Sequence, residues 1–230
     1  MAALLHAYFL HTRAYRETSL LVEVFSAEAG RFSGNWRGGR RSKGGTAQLF
    51  QPLLLEAAGH GELKGVQRVE TAGMALPLAG TALFSGFYLN ELLIRLLPRD
   101  EPQPDLFVAY AGALGRLAEG EAPAPLLRRF EGQLLETLGY GLDYGHDSDR
   151  GEPVEAVARY DFHPERGFVR SGASVGTYEG AVLQRLAGGD FADAAAAAAA
   201  KRIHRLALAR LLGPKPLKSR ELFLVAQDLK

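Results

Sequence analysis

The sequence predicts an α+β chain, a small β barrel followed by an all-helical domain with an irregular insert, and three features carry that prediction. Apolar residues recur at every second position through about residue 80, then at about every 3.6 positions from about Ala82 onward. Glycines break the first region at short intervals, leaving no room for helices between strands. The expected domains are therefore 1–80 and 81–230, with residues 143–176 irregular.

In TSLLVEVF, Leu20, Val22 and Val24 share one face, and in QLFQPLLLE so do Leu49, Gln51, Leu53 and Leu55. The stretches 27–32, 39–45 and 57–65 read as turns, and strands at this spacing favour a barrel or sandwich; five strands suit about 70 residues. Beyond Ala82, Leu89, Leu92, Leu93, Leu96 and Leu97 form a helical stripe stopped by Pro98. Phe107, Tyr110, Ala113, Leu114 and Leu117 form a second stripe. Leu127, Phe130, Leu134 and Leu138 form a third, with Gly139 where a left-handed cap belongs. Between Asp143 and Gly176 a strand pair is expected at VARYDF and RGFVR, and a helix should start near Tyr178. Asp190 is placed to cap a last long helix through the alanine run, which Gly213 and Pro214 end.

The net charge of +1 conceals an uneven distribution, +3 over residues 1–80, −5 over 81–150 and +3 over 151–230. Without cysteine, disulfides and thiolate metal sites are excluded. No apolar run approaches the roughly 18 residues of a membrane span, and the N-terminus lacks the basic opening of a signal peptide, so a cytoplasmic protein is expected.

Between Glu28 and Glu56 there is no acidic residue, yet Arg31, Arg37, Arg40, Arg41 and Lys43 fall there, interleaved with glycines and Trp36. Phosphates favour such cations, and an exposed Trp36 would stack on an unpaired base. The alternative is a solvated hairpin with Trp36 buried. A second basic set, Lys201, Arg205, Lys215 and Lys218 with Arg202, Arg210 and Arg220, lies on the last helix and tail; it suits phosphate, an acidic peptide or simply the helix dipole. Arg128 and Arg129 beside Phe107 and Tyr110 would suit an acidic, aromatic peptide, and core packing with i, i+3 pairing explains them equally well.

Enzymatic readings find little support. No phosphate-loop spacing occurs. Gly172–Gly176 matches a nucleophile elbow around Ser174, with Asp190 or Asp193 and His204 following, but the alternating βαβ scaffold is missing. The six histidines show no metal-ligand pairing, and Asp143, His146, Asp147 and Asp149 lack the spacing of a calcium loop. No catalytic residue, metal or cofactor is expected.

The segment AYRETSLL (14–21), the AEAGR turn (27–31) and the Gly39-Arg40-Arg41 step resemble the opening of RecO proteins. LFQPL (49–53), GEL (61–63), YLNELL (88–93), DLF (105–107), RFEGQLLETLGY (129–140) and PLKSREL (216–222) continue the resemblance in order. It implies an N-terminal OB-fold, a helical C-terminal domain, binding to single- and double-stranded DNA, and annealing of complementary strands in the DNA recombination and repair response to DNA damage. Implied partners are RecR, the acidic C-terminal tail of single-strand binding protein and, indirectly, RecA, with the protein at the nucleoid. The tail site would lie in the helical domain, which favours the Arg128 and Arg129 groove. Many relatives carry a four-cysteine zinc site after the LGY helix; Gly141–His146 and the residues beyond it hold no cysteine, so no such zinc is expected. The rival is a DNA-independent adaptor that binds partner peptides through the helical domain.

Overall fold

The computed structural model describes residues 4–40, 48–59, 61–172 and 176–228. Five strands, β1 (Leu4–Tyr15), β2 (Ser19–Ser26), β3 (Gly30–Trp36), β4 (Leu53–Ala58) and β5 (Leu63–Thr71), close into a barrel in the order β1-β2-β3-β5-β4. β3 and β5 pair in parallel and every other pair is antiparallel, the OB-type arrangement that the resemblance implied. Alternation places Leu20, Val22 and Val24, Phe32 and Trp36, and Leu53 and Leu55 inside with Phe9 and Val66.

β1 breaks its alternation at a bulge between Phe9 and His11, so Phe9 faces the core while His11 and Arg13 pair with Glu23 and Leu21 on the outer face. The amide Nδ2 of Asn90 donates to the Leu10 carbonyl at 2.9 Å, and Tyr110 donates its hydroxyl to Asn90 Oδ1 at 2.6 Å. Asn90 lies on α1 (Gly80–Leu96) and Tyr110 on α2 (Pro104–Ala118). Tyr110 and Phe107 pack on Tyr8 and Phe25, covering one end of the outer barrel face. Gly30 has φ +67°, and a Cβ there would collide with the Glu101 carbonyl where the chain after α1 passes β3.

The remaining elements are α3 (Pro123–Thr137), β6 (Arg159–His163), β7 (Gly167–Arg170), β8 (Tyr178–Glu179), α4 (Gly180–Ala187), α5 (Ala194–Leu212) and α6 (Ser219–Asp228). The expected strand pair is β6–β7, extended by β8 into a three-stranded sheet, so the insert carries its own small fold. Gly139 adopts φ +80°, as its cap position requires. Asp193 caps α5, accepting from Ala196 N at 2.9 Å; Asp190 instead accepts from Ala192 and Asp193 in the turn before it. That corrects the expected cap, because the helix begins at Ala194.

The chain divides into two compact units, Met1–Glu121 with Leu217–Lys230, and Ala122–Pro216. The last barrel strand ends at Thr71 and α1 begins at Gly80, but packing groups α1, α2 and the returning α6 with the barrel. The Glu91 carboxylate accepts from the main-chain N–H of Lys218 and Ser219 and from the Ser219 hydroxyl, at 2.7–2.9 Å, which caps α6 from α1. In the second unit Tyr144, Val154, Tyr160, Phe168, Leu183 and Ile203 form the core, and the small alanine side chains let α5 pack closely into it.

Candidate nucleic-acid interface

The β1–β2 hairpin turns at Arg16, which takes φ +54°, and the turn after β3 lies against it. Arg40 donates its N–H to the Thr18 carbonyl at 3.1 Å and its Nη1 to the Arg16 carbonyl at 3.0 Å. Arg13, Arg16, Arg37 and Arg40 are all exposed at this end of the barrel, and among the described residues none of them pairs with a carboxylate. Arg16 instead lies over the Tyr15 ring. Four unneutralised guanidiniums, Arg13 near the end of β1 and the other three on the two tied turns, form a positive edge.

From that edge a groove of about 450 Å³ runs along the open part of the outer face, lined by His11, Arg13, Leu21, Glu23, Ser33, Leu63 and Arg99 among others. Its floor is polar and fixed. Glu23 accepts from the Ser33 hydroxyl and from Arg31 Nη1 at 3.2 Å, with Arg99 Nη2 4.0 Å away. Arg99 also donates to the Glu62 carbonyl at 3.1 Å.

Of the cations expected on the barrel loop, Arg37 and Arg40 are exposed, while Arg41 and Lys43 lie outside the described residues. Arg31 must be corrected: it is 9% exposed, its Nε donates to the Leu97 carbonyl at 3.0 Å and its Nη1 holds Glu23, so it ties β3 to the end of α1. Trp36 must be corrected too. It is 6% exposed and packs on Phe9 inside the barrel, and a methyl at Gly39 would lie 2.7 Å from its ring. β3 runs on to Trp36, so alternation from Phe32 turns the indole inward, away from any base.

Of the C-terminal cations, Lys201, Arg205, Lys215 and Lys218 are exposed, Arg220 is half-buried and Arg210 pairs with Glu165 at 3.1 Å; Lys201, Arg205 and Lys215 belong to the second unit and Lys218 to the first. The peptide-groove residues separate likewise. Phe107 and Tyr110 belong to the first unit, where Tyr110 is fully buried on Asn90 and Phe107 is half-buried against Tyr8 and Phe25. Arg128 and Arg129 belong to the second, where Arg129 is exposed but Arg128 is buried with Nη2 2.5 Å from Glu131 Oε1. For Tyr110 and Arg128 core packing is the outcome, which corrects their assignment to a peptide groove.

Ser174 lies outside the described residues, and its supposed partners are engaged elsewhere, Asp193 as a helix cap and His204 with Glu131 and Tyr144. Among the described residues no group of histidine, aspartate or glutamate side chains is placed to hold a metal ion. Burial would raise the Asp147 carboxyl, yet main-chain N–H groups of Asp149, Arg170 and Arg150 hold it below the usual range. Asp149 pairs with Arg166, and Asp143 with His146 and Gly145 N–H, so the oxygens of this loop serve the loop and its ties to the β6–β7 hairpin. Among the described residues no helix is long and apolar enough to cross a membrane.

Residue reasoning missed the groove. The odd positions of TSLLVEVF, Leu21 and Glu23, announce an outer face in the sequence, but the β1 bulge that turns His11 and Arg13 onto it leaves no periodic signal.

Residues 1–75 match the family model described as Recombination protein O N terminal, and residues 78–221 that described as Recombination protein O C terminal. The chain is 49% identical over 224 residues to the DNA repair protein RecO of Pseudomonas paraeruginosa, covering 97% of this chain and 95% of the relative. It is 46% identical over 220 residues to that of Actinobacillus succinogenes (94% and 93% covered) and 42% identical over 228 residues to that of Photobacterium profundum (97% of each).

Proposed function

Because the chain belongs to the RecO family of DNA repair proteins, with a role in DNA repair and recombination, we propose that its barrel binds DNA through the arginine edge around the β1–β2 hairpin. The observation that carries this reading is the set Arg13, Arg16, Arg37 and Arg40, exposed beside a groove and without carboxylate partners among the described residues. Each phosphate that such a cation neutralises releases condensed counterions, so the edge holds single or double strands with little regard to sequence. Lys201, Arg205 and Lys215 on the second unit supply a further cationic surface for DNA or for the acidic tail of single-strand binding protein. Two DNA-binding surfaces on one molecule raise the effective concentration of complementary strands and so promote annealing. With RecR, the protein then helps RecA onto DNA that single-strand binding protein has coated. The work takes place in the cytoplasm, at the nucleoid, and no covalent bond is made or broken.

The test is fluorescence anisotropy of a labelled oligo-dT across a salt series, for the wild type and for Arg13, Arg37 and Arg40 changed together to Ala. Loss of three phosphate contacts should flatten the log-log salt slope by about 2, at roughly 0.7 per contact on single strands. An unchanged slope would move the DNA site to the second unit. No binding by the wild type would favour the DNA-independent adaptor.

A further inference from the structure

At the groove floor a carboxylate, rather than a free cation, meets the solvent. Glu23 sits there with its carboxylate 23% exposed, fixed by the Ser33 hydroxyl and Arg31, and no cation stands closer to it from the open side than Arg99 at 4.0 Å. The walls are apolar at Leu21 and at Leu63, which is 48% exposed. The unpaired cations stand to one side, Arg13 in the lining and Arg16, Arg37 and Arg40 at the hairpin beyond it. A slot with apolar walls at Leu21 and Leu63, a fixed acceptor at its bottom and cations at its rim complements one part of a nucleic acid, an unstacked base with its backbone outside.

We infer that this groove seats a flipped-out base of a DNA single strand, with the base face against Leu21 and Leu63 and an exocyclic amino group donating to Glu23, while the backbone follows the arginine edge. The inference rests on the DNA-binding reading above and adds a selectivity to it. A carboxylate accepts from the N4 amino group of cytosine and repels the O4 carbonyl that thymine presents at the same place. In a duplex the amino groups are already paired. Glu23 therefore acts as a specificity residue that favours single strands over duplexes and amino-bearing bases over thymine.

Affinities for oligo-dC, oligo-dT and a duplex of equal length are measured at fixed salt, for the wild type and for Glu23→Gln, Glu62→Gln and Leu63→Ala, with thermal melting to verify folding. The wild type should bind oligo-dC at least threefold tighter than oligo-dT. Glu23→Gln should bring that ratio below 2 and tighten duplex binding by more than threefold. Glu62→Gln, which removes a charge from the groove lining and not from the floor, should leave the dC to dT ratio unchanged. Leu63→Ala, at an exposed position that spares the core, should weaken oligo-dC more than oligo-dT. A wild type that binds both strands equally overturns the base seat and leaves the arginine edge standing. Equal effects of Glu23→Gln and Glu62→Gln overturn it as well, because general charge then explains them. Absence of any DNA binding by the wild type overturns the seat together with the reading beneath it.

Discussion

Arg40 Nη1 donates to the main-chain carbonyl of Arg16 at 3.0 Å, so one arginine of the positive edge holds the turn that displays another. Its charge and its hydrogen bond can be separated by substitution. Arg40→Lys keeps the charge and should retain the salt slope of single-strand binding. Arg40→Ala should flatten that slope by about 0.7, one phosphate contact. Anisotropy against salt decides it, and identical slopes for Arg40→Ala and wild type would reduce Arg40 to a structural tie.

Trp36 is the single tryptophan of the chain and lies in the barrel core against Phe9, which turns a correction into a measurement. Its fluorescence should be blue-shifted, poorly quenched by acrylamide and unaltered by saturating oligo-dT. Trp36→Ala should cost about 3–5 kcal/mol in urea unfolding, the usual loss for a buried large aromatic. Quenching of the indole on DNA binding would return it to the interface.

Much of this architecture was legible in sequence where a local pattern carries it. Leu20, Val22 and Val24 alternate into the barrel, and Leu89, Leu92 and Leu93 bury one face of α1, because strand and helix periods act on neighbours. The site was legible only in part. Arg37 and Arg40 stand out as cations without nearby acids, yet the same glycine-rich stretch disguised Trp36 as a surface residue, although alternation from Phe32 turns it inward. α6 went unread as a helix although Leu222, Val225 and Ala226 recur at helical spacing, and what fixes its start is the carboxylate of Glu91, 128 residues from Ser219. The groove depends on a bulge that reverses the faces of β1, and Arg31 became a tie only when the chain after α1 returned to β3. These are products of long-range pairing, which no local period encodes.

Glu91 should make the docking of α6 sensitive to acid. Burial alone would raise its pKa, but the hydrogen bonds from Ser219 and Lys218 outweigh burial and hold the carboxyl below its ordinary value of 4.5. A carboxyl lowered in the folded state binds fewer protons there than in the unfolded chain. Its contribution is therefore complete above the unfolded value and is lost as pH falls through the lower folded value. Glu91→Gln should lower stability at pH 7 and flatten the acid limb of the stability curve below about pH 4.5. Urea midpoints from pH 3 to 7 check this, and parallel curves for the two proteins would show that Glu91 carries no linkage.

The second unit rests on a buried polar chain whose ends differ in consequence. Glu131 and His204 have side chains 1% and 0% exposed; Glu131 Oε2 lies 2.9 Å from His204 Nδ1, and His204 Nε2 lies 2.7 Å from the Tyr144 hydroxyl. Arg128 pairs with the other carboxylate oxygen, so Glu131 joins α3, α5 and the loop after α3. Burial, reinforced by the Glu131 charge, pushes the Tyr144 hydroxyl well above its ordinary pKa, so it remains a neutral donor or acceptor throughout the physiological range. Removing Glu131 strands a buried guanidinium, and Glu131→Ala should cost about 3–5 kcal/mol. Tyr144→Phe leaves only one imidazole nitrogen unpaired and should cost about 1–3 kcal/mol. The two together should cost less than their sum, because both act through His204. Chemical denaturation of the two single variants and the double variant measures the coupling. Strict additivity would mean that the Tyr144 and Glu131 contacts act independently, and the chain would then be two separate hydrogen bonds that happen to share a ring.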